Sequence, residues 1–282
     1  MSARPDSAKL KTQGLLWIAL AYLAGAAIGV GTGIAAGYWM DDVQPLWVAV
    51  LADLAATLIV FGFGRALNNS SIFDPYWSIA PPLLGLYWAA AQPGRGNPVR
   101  RAVVLVLVGA WAARLTWNCL RGWGGLDDED WRYRDLRARY PRTYWWISLA
   151  GLHLMPTVVV FIGCLSLYAA LTAGARPLNW VDGAALLVTA GAIGLEARAD
   201  AELWRFRATH RPGERLATGL WKVLRHPNYV GEMAFWWGLY LFALAANPGA
   251  WWTIVGPLSI TGLFNLASIP MMERHMRDRR RE

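Results

Sequence analysis

Charge is what this sequence has least of. Only 16% of its 282 residues are charged, against about a quarter in an ordinary soluble domain. Acid is the scarcer sign: 19 Asp and Glu stand against 27 Lys and Arg, for a net charge of +8. Cysteine is nearly absent. The two present, Cys119 and Cys164, lie in apolar runs without metal-type spacing. They read as buried thiols, which excludes a disulfide framework and a thiolate metal centre. The four histidines, His153, His210, His226 and His275, are too scattered for a metal site. Also missing are a strand, glycine loop and helix in succession, and a Walker motif, so any cofactor must bind among helices and loops. No cleavable signal peptide is expected, because the first apolar run is too long and lacks a clear cleavage site.

Apolar surface is what the sequence has in excess. Hydrophobic residues make up 56% of the chain, with 18 Trp. Long uncharged runs of this kind need a bilayer, and a bilayer admits only helices or closed barrels. The expected fold is an all-α polytopic transmembrane helical bundle of about seven to eight membrane segments. Eight apolar segments are legible, at about 14–38, 46–67, 76–91, 99–120, 147–172, 180–199, 229–246 and 251–269. The third is interrupted by Pro81-Pro82.

Topology follows from the basic residues. With the N-terminus inside, residues 121–146, 200–227 and the C-terminal tail all fall on the inner side, and they carry most of the Arg and Lys. The loop at Asp41-Asp42 falls outside. Arg95, Arg100 and Arg101 violate this pattern, which leaves room for a half-embedded segment such as the third. Nucleic acid is excluded as a partner, because the basic residues sit in loops between spans. The partners expected are the lipid bilayer and a small lipophilic substrate.

Individual residues stand out along the chain. Gly25, Gly29, Gly33 and Gly37 recur at four-residue spacing, the small-residue pattern of close helix packing in membranes. Asp53 lies near a span end and reads as interfacial, with a buried functional role open. Residues 68–78 form a polar, helix-breaking passage that offers Asp74 and Tyr76 to a cavity. Arg114 and Asn118 share a helix face one turn apart; Arg114 either snorkels to the surface or binds an anion. Residues 121–146 form a charged loop that includes Arg132 and Tyr133. His153, beside Pro156, is expected to bond a freed backbone carbonyl. Asp200 closes the sixth segment, ahead of Arg205 and Arg207, which point to different sides of a helix.

The densest cluster is Gly219-Leu-Trp-Lys-Val-Leu-Arg-His-Pro-Asn-Tyr-Val-Gly-Glu232, immediately before an uncharged aromatic run. Lys222 and Arg225 can neutralise phosphate. His226 is a donor that titrates near neutrality. Asn228 and Tyr229 offer hydrogen bonds to an amide or a ribose. A helix opening at Pro227 places Asn228 and Glu232 on one face. Ionisable groups at the mouth of a span call for a cavity, a ligand or a partner charge.

Arg225-His-Pro-Asn-Tyr-Val-Gly-Glu232 resembles the C-terminal motif of the steroid 5-alpha-reductase and sterol-reductase superfamily, membrane enzymes that reduce an activated carbon–carbon double bond with NADPH. The likeness covers Asp200 to about Glu273, with scattered support at Asp74-x-x-Trp77, at Arg114 and at Glu129-Asp-Trp-Arg-Tyr133. It implies an NADPH site drawn from Arg114, Asn118, Arg132, Asp200, Arg205, Arg207, Lys222, Arg225, His226, Asn228, Tyr229 and Glu232, on the cytoplasmic side (of the inner membrane, in a bacterium). It also implies a donor at the substrate ketone. Asp74 best matches the expected carboxylate, although Phe73 precedes it where the family has glutamine. The expected tyrosine is matched by Trp111, so Tyr76 and Tyr133 become the candidate substitutes. This departure bears on whether the acceptor is a 3-oxo-Δ4 steroid or another lipophilic enone. Arg-His-Pro-x-Tyr-x-Gly is similar also to isoprenylcysteine-type membrane methyltransferases, which use S-adenosylmethionine (SAM). Asn228 and the preceding arginines suit a dinucleotide better. No metal is expected. A channel or transporter is disfavoured, since inverted repeats are not evident.

The organisation expected is a cytoplasmic tail at 1–13, substrate-side helices at 14–120 and a charged cytoplasmic loop at 121–146. A reductase-like region with the cofactor motif at 147–270 and a basic tail at 271–282 complete the chain.

Overall fold

The computed structural model describes residues 5–39, 44–210 and 214–278. Arg4, the Asp41-Asp42 loop, the Arg211-Pro-Gly213 stretch and the basic residues 279–281 lie outside the described residues. Among those described there are helices and no strands. In order they are α1 (Pro5–Trp39), α2 (Pro45–Ala66), a 3₁₀ turn (Ser70–Phe73), α3 (Tyr76–Ala91), α4 (Pro98–Gly122) and α5 (Trp131–Arg139). Then come α6 (Tyr144–Ile147), a π-helical turn (Ser148–Leu154), α7 (Met155–Thr172), α8 (Trp180–Thr209) and α9 (Leu220–Val223). The chain ends with α10 (Pro227–Ala246), a 3₁₀ turn (Pro248–Ile254), α11 (Val255–Leu263), a π-helical turn (Phe264–Ser268) and α12 (Ile269–Asp278).

Among the described residues, seven helical stretches are long and apolar enough to cross a bilayer, beginning at Lys9, Pro45, Pro98, Tyr144, Trp180, Pro227 and Pro248. α3 is shorter, at 16 residues. Large apolar side chains such as Leu16, Ile34, Val106 and Leu187 are exposed on these helices. Hydrocarbon accommodates that surface and water does not. The fold is an all-α polytopic helical one, as the composition predicts, and it fits an integral multi-pass membrane protein.

Two sequence expectations are corrected. Pro81 and Pro82 lie inside α3 without interrupting it. α8 does not end at Asp200; it continues unbroken to Thr209. Its polar second half, rich in good helix formers such as Ala, Glu, Leu and Arg, simply extends the apolar first half.

The chain divides into two compact units. The first comprises the residues up to Leu84 together with Leu115–Phe161. Within it, α1 lies on α2 through the predicted glycines. A Cβ added at Gly25 would meet the Ala56 carbonyl oxygen at 3.4 Å, and one at Gly29 would meet that of Ala52 at 3.2 Å. Gly33 touches Val48, whereas Gly37 faces open space. A core of Ile18, Val60, Ile72, Phe73, Tyr76 and Trp123 fills this unit. His153 bonds a backbone carbonyl, though not one that Pro156 frees: its Nδ1 donates to the Ser148 carbonyl at 2.9 Å, inside the π-helical turn. Cys119 is half-buried rather than enclosed.

The second unit comprises Gly85–Arg114 and the residues from Ile162 onward. α10 packs along the first part of α8, from Gly231 beside Glu196 to Ala245 beside Asn179. A Cβ at Gly231 would overlap Glu196, and one at Gly238 would overlap Thr189, so only glycine permits this approach. Asn179 and Asp182 form a capping box at the start of α8. Cys164 is buried.

Two of the three topology violations have a structural cause here. The Arg100 guanidinium is fully buried and bonds Asp182 through Nε at 2.6 Å and Nη2 at 2.8 Å. It also reaches the carbonyls of Arg176, Pro177 and Ala245. Arg101 donates to the carbonyls of Ala89, Gln92 and Arg95. Both cations thereby cover the last-turn carbonyls Ala89 and Ala245 and carbonyls of the adjoining loops.

Candidate functional site

In the first unit, two loops are bonded together around Asp74. Asn69 accepts from the Ser71 amide at 2.8 Å and donates through Nδ2 to the carbonyls of Leu126 and Asp128. The Ser70 amide donates to Glu129 at 2.8 Å, and the Asp130 amide donates to the Ser71 hydroxyl at 2.9 Å. Asp130 also caps α5, accepting from the Arg132 amide at 2.9 Å. Tyr133 therefore enters on the first turn of α5, and its hydroxyl donates to Asp74 Oδ1. Arg132 is held by Asp130, through Nε at 2.7 Å and Nη2 at 3.1 Å.

Burial pushes the Asp74 carboxyl up to about 6, against the opposing pull of Arg132 and of the Tyr133 hydrogen bond. Burial, then the neighbouring Asp74 charge, raises the Tyr133 phenol well above its ordinary value. Tyr133 is therefore a proton-bearing donor at every physiological pH.

Tyr76 is placed differently. Its hydroxyl donates to Asp53 Oδ1 at 2.7 Å, and both residues are buried. Of the two candidate tyrosines, Tyr133 is the one bonded to Asp74. Asp53 is thus buried with Tyr76 as its partner inside the unit. Asn118 accepts from Arg121 through Nε at 3.0 Å.

In the second unit, the motif is built from Gly219 onward. Gly219 has φ +56, and the following Leu220 amide donates to Glu202 on α8 at 2.8 Å. Trp221 Nε1 donates to the Ala199 carbonyl at 3.1 Å. These bonds fasten the short α9 to α8 and leave Lys222 exposed. α10 then opens at Pro227 with His226 as its cap residue. Arg225 Nε pairs with Glu273 on α12 at 3.0 Å, and His226 Nε2 lies 3.5 Å from the same oxygen. The His226 ring stacks on Tyr229 at 5.5 Å, and Tyr229 leans on Phe264 at 4.9 Å. Asn228 Oδ1 is buried without a hydrogen-bond partner among the described residues. A buried acceptor left open in this way calls for a donor from a ligand or a water.

Glu232 does not join Asn228. It is buried and receives two indole N–H groups, from Trp111 at 3.0 Å and Trp236 at 2.8 Å. Trp111 itself stacks on Phe235, with ring centroids 4.6 Å apart. Arg114 neither snorkels nor stands open to an anion. It donates to Glu196 and, at 2.6 Å, to Asp200. Arg205 and Arg207 are exposed on α8. The structure thus gathers Lys222, Arg225, His226, Asn228 and Tyr229 at the foot of α10, and gives Arg114, Asp200 and Glu232 to an internal network.

Sequence reasoning passed over Glu196 as a partner for Arg114. Glu196 lies one turn before Asp200 on α8, a spacing that marks a shared face. Glu273 was open on sequence grounds to pair with an arginine of the site, and Arg225 is that partner.

No solved structure matches this chain. An uncharacterized protein of Schizosaccharomyces pombe is 26% identical over 251 residues, covering 79% of this chain and 72% of the relative. The family model described as protein of unknown function (DUF1295) matches residues 60–282, a span that holds Asp74, Tyr133 and the whole 219–232 motif, and the chain belongs to that family.

Proposed function

We propose that this protein is a membrane-embedded, NADPH-dependent reductase of an activated carbon–carbon double bond, acting on a 3-oxo-Δ4 steroid or a similar lipophilic enone. The observation that carries the reading is the Asp74–Tyr133 pair. Reduction of an enone adds hydride at the β-carbon and a proton at the α-carbon, and it develops negative charge on the carbonyl oxygen. A preorganised hydroxyl and a carboxyl that holds its proton to about pH 6 are suited to that oxygen.

The residues fit NADPH at the foot of α10. Lys222 and Arg225 suit its phosphates, and the open Asn228 Oδ1 suits an amide or ribose donor. When bound, NADPH supplies the hydride. His226 and Tyr229 present a stacked aromatic pair to a flat ring. Arg114, Asp200 and Glu232 support this region by tying α4 to α8 and to α10 and need not touch the cofactor. The site faces the cytoplasm in this reading, where NADPH is found, and the resemblance of Arg225–Glu232 to the reductase motif supports the assignment.

The test is thermal stabilisation of the detergent-purified protein by NADPH, NADH and SAM, followed by turnover with enones. Stabilisation by NADPH with oxidation of the cofactor on adding an enone supports the reading. Stabilisation by SAM alone replaces it with a membrane methyltransferase of the isoprenylcysteine type.

A further inference from the structure

The geometry points to a binding site for the headgroup of an anionic phospholipid in the second unit, formed by the connections α3–α4, α7–α8 and α10–α11. Two adjoining cavities open there, of about 440 Å³ and about 210 Å³. Arg95, Thr172 and Ala173 line both of them. Tyr168, Asn247 and Trp252 complete the smaller one.

The level is that of lipid headgroups. The cavities lie where candidate spans end or begin: Thr172, Trp180, Ala246, Pro248 and Pro98. Trp180 and Trp251, at these same ends, are exposed by 83% and 66%. Exposed tryptophans at span ends mark the interface between hydrocarbon and water.

The charge is that of an anion site. Arg95, Arg100 and Arg101 together contradict the inward bias of basic residues elsewhere in the chain. Arg100 and Arg101 are accounted for by Asp182 and by helix-end carbonyls. Arg95 is not: its side chain is exposed at the cavity wall and makes no ion pair among the described residues. The loop that carries it is held down by Gly96, at φ +77, where a Cβ would overlap the Leu171 carbonyl oxygen. A built loop therefore presents this cation.

The polar lining suits a phosphate and its substituent. Gln92 Nε2 donates to the Tyr168 hydroxyl at 3.0 Å, and the Tyr168 proton has no acceptor among the described residues. Arg95 and Tyr168 can then both donate to phosphate oxygens, with Trp252 against the glycerol and upper acyl chains. A choline headgroup brings its own cation to Arg95 and is disfavoured. A glycerol headgroup is not.

The full-length protein in detergent tests this, with added phosphatidylglycerol, phosphatidylcholine or inorganic phosphate. Thermal midpoint and lipid retained in native mass spectra are the readouts. Phosphatidylglycerol is expected to stabilise and to be retained; the other two are not. Arg95→Gln should weaken the phosphatidylglycerol response about tenfold, the worth of one good charge-assisted contact. Ala173→Leu, which adds bulk to the shared wall without changing charge, should weaken it as well. Arg139→Gln removes the same charge from exposed α5 and should leave the response intact. Equal responses to both phospholipids, a response to phosphate alone, or equal effects of Arg95→Gln and Arg139→Gln would overturn the proposal.

Discussion

Tyr133 donates its hydroxyl proton to Asp74, a residue 59 positions earlier in the chain. The bond closes a polar passage between α2 and α3 onto the first turn of α5, and it puts two proton-bearing groups side by side.

Asp74 sets the first prediction. Its carboxyl is raised on folding from 3.8 to about 6, chiefly by burial. The folded state therefore holds this proton more tightly than the unfolded state. Its contribution to stability is full below about 3.8 and is lost as pH rises through about 6. If the pair donates to a substrate oxygen, turnover should fall over the same rise through 6, because the ionised carboxylate keeps the Tyr133 proton for itself. Asp74→Asn should abolish that pH dependence and lower kcat, with NADPH affinity nearly unchanged. Tyr133→Phe should lower kcat about 100-fold, the scale of a lost oxyanion donor. Steady-state kinetics across this range checks both, and wild-type turnover in Asp74→Asn would clear it of a catalytic role.

The foot of α10 sets the second. Asn228→Ala and Arg225→Ala should each weaken NADPH binding about tenfold while the protein still folds. Calorimetric titration of purified variants measures this. Unchanged affinity in both would remove the cofactor site from this position.

Gly219 gives a prediction about order rather than contact. Its φ of +56 disfavours any side chain, and a Cβ would stand 2.5 Å from the Glu202 carboxylate oxygens. Gly219→Ala should cost about 1–2 kcal/mol from the backbone alone and should loosen α9 from α8. Faster hydrogen exchange at residues 219–224, with the spans protected as before, is the expected readout.

Glu232 separates support from binding. Glu232→Ala leaves the indole N–H groups of Trp111 and Trp236 buried without acceptors, at about 1–3 kcal/mol each. The thermal midpoint in detergent should drop well below that of Asn228→Ala. A drop in NADPH affinity with unchanged stability would instead return Glu232 to the cofactor site.

What the sequence made legible follows from periodicity and cost. Apolar runs reveal spans because the bilayer admits no exposed backbone, and the glycines at 25, 29 and 33 reveal close packing because small residues let two helix backbones approach. The cluster from Lys222 to Tyr229 stood out by its density of polar residues, and the structure gathers it at the foot of α10. The partners of charged residues were not legible. Arg114 with Glu196 and Asp200, and Tyr133 with Asp74, join residues far apart in the chain, where spacing carries no information. Tyr76 and Tyr133 were equal on sequence grounds, and only the fold separates them by giving Asp53 to one and Asp74 to the other. α8 read short because its second half is polar, although helix propensity continues through Asp200 to Thr209.

The Arg100–Asp182 pair bears on how the chain enters the bilayer. Arg100 lies on the first turn of α4 and is buried in the folded unit, where a charge without its partner is costly. Arg100 is made 82 residues before its counter-ion, so α4 emerges from the ribosome with a charge it cannot yet neutralise. Until α8 has been synthesised, the Arg100 guanidinium must stay solvated, outside the packed interior it later occupies. The second unit can close only once translation has passed Asp182, and ribosome-stalled chains ending before and after α8 should differ in the solvent accessibility of position 100.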